Sequence, residues 1–313
     1  MSGPILIVTE ASPLIGIGHA RRSLTLARAL SAKVPVEFWL LGSDSGYLGD
    51  LLSEFPLRCG PVPDFASTAL AVLDLEQDAH RLAMSLEPRS IALDYFQHEK
   101  LPLKTINLLD HSGRMRQAYA DEVRPEDYFE GPAYAIIRPS LLAQRRVMDF
   151  SDVKNILVTI GGADPSGRTL DALREVPASA SVTIVLGPLV SSGLEDEIRS
   201  ISGEAALVRN PQNFDALLGR ADLVLTNGGT TLLESMALGK PTIALPQTPA
   251  EAAHAAFHER AGACAPLGRL AEILSSASAR ESLSATARDT VDGLGVDRIV
   301  SEILESASCA STQ

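Results

Sequence analysis

Short apolar runs alternate with amphipathic stretches along almost the whole chain. In the first half, continuous apolar runs predict strands at Ile5–Thr9, Val36–Leu41, Ser90–Asp94 and Thr105–Leu109. Apolar positions at helical spacing predict helices at Ala20–Ala32, Tyr47–Leu52 and Leu70–Leu86, the first with a stripe of Leu24, Leu26, Ala27 and Leu30. The regular spacing lapses over 138–153, "RPSLLAQRRVMDFSDV", and then restarts. Strands are predicted in "NILVTIGG", "VTIVLG", "AALV", "DLVLT" and "PTIAL". Helices are predicted at Arg168–Glu175, Leu194–Ser202, Phe214–Arg220, Thr231–Leu238 and Ala250–Ala261. Residues Arg269–Ala307 read as helical, before a polar tail expected to fray.

Strands that are apolar throughout, each followed by a helix, imply parallel sheets covered on both faces, an α/β architecture. A chain of 313 residues has room for two domains of about 150 each. The restart divides it into two domains with parallel sheets, 1–148 and 149–313, with the last helix able to pack back on the first domain. Each half opens with a strand, a glycine turn and a helix, "ILIVTEASPLIGIGHARR" and "NILVTIGGADPSGRT". Ligands of such folds bind beyond the carboxyl ends of the strands. The glycine turns are therefore expected to face a central cleft.

The candidate chemistry sits on these turns. In "LIGIGHARRSLTLARAL", Gly16 and Gly18 allow a tight turn and close approach to a ligand. His19 follows at the expected helix start, where backbone N–H groups point outward. Its imidazole is either a filler of the turn or a group aimed at a ligand, and imidazole suits a general base near neutral pH. "TIGGADPSG" supplies a second turn with Gly161 and Gly162. In "TNGGTTLLE", Gly228 and Gly229 turn the chain, and Thr230 and Thr231 can cap the following helix. First-turn amides left uncovered by small residues can hold a diphosphate, and Glu234 can reach ribose hydroxyls. The plainer alternative is a strand–helix turn in which Glu234 closes a capping box. The first turn departs from a nicotinamide-dinucleotide fingerprint: Arg21 stands where the third glycine is required, "ASPLI" lengthens the loop, and Asp44 alone is a commonplace acid after a strand.

Asp94 with Tyr95, and Asp110 with His111, end predicted strands as polar groups near the expected cleft, although strand-end turns favour Asp in any case. His254 and His258 fall on one helix face without a third ligand, so no metal is expected there. Gln144–Arg146 reads as a solvated linker face.

The net charge of −12 argues against nucleic acid and anionic membranes as partners, because both require a positive field. A small anion held locally by helix N-termini stays compatible with it. Cys59, Cys264 and Cys309 show neither metal-ligand spacing nor a disulfide framework. With no leader and no apolar window of about 18 residues, the expectation is a cytoplasmic protein without membrane insertion.

Five segments, in order over roughly residues 5–268, together resemble one known family. They are "GIGHARRSLTLARAL", "LDYF", "GPAYAIIRPSL", "ILVTIGGADPSGRTLDAL" and "ADLVLTNGGTTLLESMALGKPTIALP". The family is that of the PseG-like UDP-sugar hydrolases of the pseudaminic acid pathway and their spore-coat polysaccharide relatives. The resemblance implies the GT-B architecture of two Rossmann-like domains, shared with the MurG-type glycosyltransferases. It implies a nucleotide sugar, by resemblance a UDP-sugar, as the small-molecule partner, with no metal and no cofactor. His19 would activate water against the anomeric carbon. Gly228, Gly229, Thr230, Thr231 and Glu234 would hold diphosphate and ribose. Arg22, Asp94 and Tyr95 would lie near the sugar. The chain departs from the family at the start of one helix, where an Asn-Gln pair is replaced by Ala250 and Glu251. Gln247 can substitute in part, whereas the Glu251 carboxylate must meet a sugar amine or hydroxyl, or turn away from the diphosphate. Two further functions stay open: a glycosyltransferase in which an acceptor hydroxyl replaces water, and a nucleotide-sugar binding protein without catalysis.

Overall fold

The computed structural model describes residues 3–10, 17–42, 46–86, 89–95, 102–108 and 125–309. The chain forms two compact units, Met1–Ile136 with Leu294–Gln313, and Ile137–Gly293. Both are α/β units built on parallel sheets, as in GT-B proteins.

Among the described residues, unit 1 has seven strands. They are β1 (Ile5–Thr9), β2 (Val36–Leu41), β3 (Leu57–Gly60), β4 (Leu70–Asp74), β5 (Ser90–Leu93), β6 (Lys104–Asn107) and β7 (Tyr128–Glu130). They lie side by side as β3-β2-β1-β4-β5-β6-β7, and each neighbouring pair is parallel. The period-2 geometry of β1 explains its unbroken apolar sequence. Ile5 and Ile7 enter a core with α1 (Gly18–Ser31) and the final helix, whereas Leu6 and Val8 enter another with Ala83 and Met84 of α3 (Gln77–Leu86). The short helix α2 (Tyr47–Leu52) follows β2.

The helix expected over Leu70–Leu86 is corrected by this fold. Leu70–Asp74 is the strand β4, paired with β1 and β5, and helix α3 begins only at Gln77. A short apolar run buried on both faces has the same composition whether it is strand or helix, so periodicity alone cannot separate them. The strands β3 and β7 were likewise absent from the sequence pattern; both are short, and β3 is partly exposed.

Unit 2 has, among the described residues, β8 (Ile156–Thr159), β9 (Val182–Leu186), β10 (Ala206–Arg209), β11 (Leu223–Thr226), β12 (Thr242–Ala244) and β13 (Ala265–Pro266). Their order is β10-β9-β8-β11-β12-β13, again parallel throughout. The helices in this unit are α4 (Pro139–Leu142), α5 (Arg168–Glu175), α6 (Ser192–Ile201), α7 (Phe214–Arg220), α8 (Thr230–Ala237), α9 (Pro249–Arg260), α10 (Leu270–Ser275) and α11 (Ala277–Thr290). Ile156, Val158, Leu223, Leu225 and Ile243 share a core with Leu270, Ile273 and Leu283.

The chain then returns to unit 1 as α12 (Gly295–Cys309), which adds Val296, Ile299, Val300 and Ile303 to the core of β1 and α1. Residues 138–153 belong to unit 2; Arg145 and Arg146 are exposed, as the solvated face expected at Gln144–Arg146 requires, but the segment is bonded into the unit and is not a free linker. Arg145 Nε donates to Ala237 O at 2.7 Å, and Arg146 Nε donates to Gly219 O at 2.9 Å. Gln144 packs so closely on Gly219 that a Cβ there would lie 2.7 Å from its side chain. The two arginines saturate helix-end carbonyls that have no partner within their own helices. Among the described residues, no helix is long and apolar enough to cross a membrane.

Candidate active site

The strand order places β1 next to β4 in unit 1 and β8 next to β11 in unit 2, although neither pair is consecutive in the chain. At such a reversal the connections leave to opposite sides, which opens a crevice at the carboxyl ends of the two strands. The polar groups of each unit gather at that point.

In unit 1, Ile17 precedes α1 without a side-chain cap, Gly18 opens the helix, and His19 stands in its first turn. Gly16, Asp110, His111 and Asp44 lie outside the described residues. His19 Nδ1 is 2.6 Å from Oδ1 of Asp74, the last residue of β4. A carboxylate only accepts, so Nδ1 carries the proton and Nε2 presents its lone pair. The His19 side chain is 17% exposed, and Asp74 is fully buried. Asp74 was missed in the sequence because the stretch containing it was read as a helix interior.

Arg22, one turn after His19, is buried between two carboxylates. Its Nε lies 2.9 Å from Asp74 Oδ2, its Nη2 2.5 Å from Asp74 Oδ1, and its Nη1 2.6 Å from Asp94 Oδ2. Ser23 Oγ donates to Asp74 Oδ2 at 2.8 Å. Arg22 Nη2 also lies 3.3 Å from His19 Nδ1, but two donors cannot bond each other, so this contact reflects their convergence on one oxygen. Burial works to raise the Asp74 pKa; the charge of Arg22 and the hydrogen bonds from His19 and Arg22 outweigh it and hold the carboxyl far below the usual range. Asp94 follows β5 at φ +55°, a left-handed conformation, and accepts from Leu108 N at 2.6 Å. Its strained backbone is held by bonds on both carboxylate oxygens. Tyr95 is buried, with its ring against His80 at 5.6 Å between centroids. Burial pushes the His80 imidazole down to about 4. Arg22 links Asp94 to the Asp74 carboxylate that holds His19, and Arg22, Asp94 and Tyr95 are all buried, with little surface open to a ligand.

In unit 2, Gly228 and Gly229 follow β11, and α8 starts directly at Thr230 and Thr231 with Gly229 as its cap. The expected threonine capping is corrected: no side chain caps this helix, because the threonines lie within its first turn. The capping-box role of Glu234 is corrected too, since it lies in the second turn, with Oε1 accepting from Arg138 Nη1. Arg138 Nε donates to Asp215 Oδ1 at 2.8 Å, and its guanidinium lies 5.8 Å from the Phe214 ring centroid. Burial works to lower the Arg138 pKa, but Glu234 and Asp215 outweigh it and hold it above the usual range.

The turn after β8 lies beside this site. Gly161 has φ +70°, and a Cβ on it would lie 3.3 Å from Asn227 Nδ2. Gly162 is packed under Gly187, where a Cβ would fall 2.3 Å from its carbonyl oxygen. The first amides of α5 are already taken: Asp164 accepts from Arg168 N at 2.7 Å and Thr169 N at 3.0 Å.

Glu251, on α9, turns toward the Gly228–Gly229 turn. It accepts from Asn227 Nδ2 at 2.6 Å and from Gln247 N at 2.7 Å. Burial raises its pKa against the pull of those donors. Gln247 Nε2 reaches Ile160 O at 3.4 Å. His254 and His258 do share a helix face, with their Nε2 atoms 3.0 Å apart. His254 Nδ1 donates to Gly228 O at 2.6 Å, which leaves its Nε2 to accept from His258. The pair buttresses the glycine turn from below. Among the described residues no group of three or more His, Cys, Asp or Glu is arranged to hold a metal ion.

No family model matches the chain. An uncharacterized protein of Methanocaldococcus jannaschii is 26% identical over 270 residues, covering 78% of this chain and 55% of the relative. The spore coat polysaccharide biosynthesis protein SpsG of Bacillus subtilis is 28% identical over 192 residues, covering 55% of this chain and 56% of SpsG. The chain thus spans about half the length of the curated relatives it matches. Among solved structures, S. aureus MnaA with UDP superimposes with a TM-score of 0.67 at 12% identity, covering 96% of both chains. Acinetobacter baumannii MurG gives a TM-score of 0.62 at 12% identity, over 96% of this chain and all of its own. In fold this chain is of the GT-B type, and in sequence it is similar to the spore coat polysaccharide biosynthesis protein SpsG of Bacillus subtilis.

Proposed function

We propose that the chain hydrolyses a nucleotide sugar, a UDP-sugar by its resemblances, releasing the free sugar and UDP. The observation that carries this reading is the 2.6 Å bond from His19 Nδ1 to Asp74, which fixes the ring so that Nε2 is the base. In this reading unit 2 takes the nucleotide: the uncapped first turn of α8 at Gly228, Gly229, Thr230 and Thr231 binds the diphosphate, and Glu234 takes the ribose. Gly161, Gly162 and Gln247 line the same strand ends.

His19 Nε2 removes a proton from water as its oxygen bonds to the anomeric carbon. The carbon–oxygen bond to the diphosphate breaks, its electron pair leaves with UDP, and the anomeric configuration inverts. The helix amides offset the charge that develops on the departing phosphate oxygen. The imidazolium, stabilised by Asp74, then returns its proton to solvent.

A panel of UDP-sugars incubated with the protein alone tests this directly. Free sugar and UDP should appear, with one solvent oxygen incorporated at the anomeric carbon from labelled water. Labelled oxygen on UDP instead would show attack at phosphorus and overturn the mechanism. The transferase reading has support of its own, since the fold neighbours include MurG. The same imidazole would then deprotonate an acceptor hydroxyl, and turnover would appear only when an acceptor is added.

A further inference from the structure

We infer that Arg138 is a positioning residue that aims Glu234 at the ribose of a bound nucleotide, an inference that rests on the nucleotide-sugar reading of this site. Arg138 is held from several sides. Its Nε, at 2.8 Å, and its Nη2 both donate to Asp215 Oδ1, and Ser140 Oγ fixes Asp215 Oδ2 at 2.6 Å. The Phe214 ring lies against its guanidinium. That leaves Nη1 pointing in one fixed direction, and it donates to Glu234 Oε1. No described residue donates to Oε2 of Glu234.

This asymmetry separates a positioning role from a purely structural ion pair. A structural arginine–carboxylate pair gains most when two parallel N–H groups meet both oxygens. Here the fork is spent on Asp215, and Glu234 is tethered by a single oxygen. An untethered glutamate side chain samples several rotamers and loses that freedom when it binds a ligand. Arg138 removes that freedom beforehand and leaves Oε2 to accept from a hydroxyl. The Glu234 side chain is 12% exposed, so the carboxylate is fixed at the surface of the site and not sealed within the core. The group recognised is a vicinal diol on a nucleotide, with the 2′-hydroxyl as one of its two donors.

Calorimetric binding of UDP and 2′-deoxy-UDP to the full chain tests the assignment. The wild type should prefer UDP by about tenfold, the size of one hydrogen bond to a charged acceptor. Arg138→Ala should bring that preference close to one while leaving 2′-deoxy-UDP binding little changed. Glu234→Gln should do the same, and the double variant should lose no more than either alone, because one interaction is being removed twice. Arg138→Lys keeps the charge without the fork and should recover the preference only in part. Far-UV circular dichroism checks that each variant is folded. A preference retained in folded Arg138→Ala, or strictly additive losses in the double variant, overturns the inference. If wild type binds neither nucleotide, the nucleotide reading itself fails and this inference falls with it.

Discussion

His19 and Asp74 stand 55 positions apart in the chain and are joined by a 2.6 Å hydrogen bond at the carboxyl ends of adjacent strands. Asp74 does two things at once: it sets the imidazole tautomer and neutralises the buried Arg22 guanidinium. Its oxygens accept from His19, Arg22 and Ser23, so little rotational freedom remains at this point of the fold.

Asp74→Asn should therefore lower kcat on the order of 10³- to 10⁴-fold with KM little altered, because the wrong tautomer disables the base while leaving binding intact. Asp74→Ala should in addition lower stability by about 3–5 kcal/mol, since it removes one of the two carboxylates that hold the buried Arg22 guanidinium, with every hydrogen bond made to it. Steady-state kinetics and denaturant unfolding of the two variants separate these effects. An Asp74→Asn enzyme with normal kcat would rule out His19 as the base.

Burial pushes His80 down to about 4, so the folded protein keeps it neutral while the unfolded chain protonates near 6.5. The unfolded state thus gains protons first, and stability falls as pH drops from about 6.5 toward 4. At pH 5 the loss assigned to His80 is about 2 kcal/mol relative to pH 7.5. Asp74 acts in a lower window. Its depressed pKa contributes in full above the ordinary aspartate value of about 3.9 and is lost as pH falls below it. Unfolding free energies at pH 5 and 7.5 for wild type and His80→Gln should show a shallower slope in the variant; equal slopes would refute the assignment.

Glu251 is the charged group nearest the turn proposed to hold the diphosphate, and burial raises its pKa. The neutral form should accept a diphosphate better than the anion does. Affinity for a UDP-sugar should consequently increase as pH is lowered through the raised Glu251 range, and Glu251→Gln should flatten that dependence. Calorimetric titrations across pH 5 to 8 measure it, and an unchanged pH slope in Glu251→Gln would show that this carboxylate does not face the ligand.

Two glycines in unit 2 should respond in opposite ways to an added methyl. At Gly187 a Cβ would fall 2.3 Å from Gly162 O and 2.4 Å from Gly161 O, both rigid backbone atoms. Gly187→Ala should cost about 2–4 kcal/mol and weaken nucleotide binding by displacing the Gly161–Gly162 turn. Gly193, in α6, has nothing within 4 Å of its Cβ direction. Gly193→Ala should be neutral or stabilise by up to about 1 kcal/mol. Chemical denaturation midpoints give both values.

Local sequence determined the elements whose signals are local. The runs at Ile5–Thr9 and Val36–Leu41 are strands within the bounds that their apolar residues mark, and Arg168–Glu175 and Phe214–Arg220 are helices within theirs. Central strands of a parallel sheet are buried on both faces, so their composition announces them, and strand–glycine–helix turns announce the sites that follow them. Tertiary structure alone decided which distant groups meet. Asp74 reaches His19 because β4 pairs with β1, and Glu234 meets Arg138 across 96 positions because unit 2 folds the start of α4 against α8. Strand order is set by the packing of whole helices and sheets, and no local spacing encodes it. The support of His19, the tether on Glu234 and the turning of Glu251 toward Asn227 and Gln247 were therefore invisible until the strands were ordered.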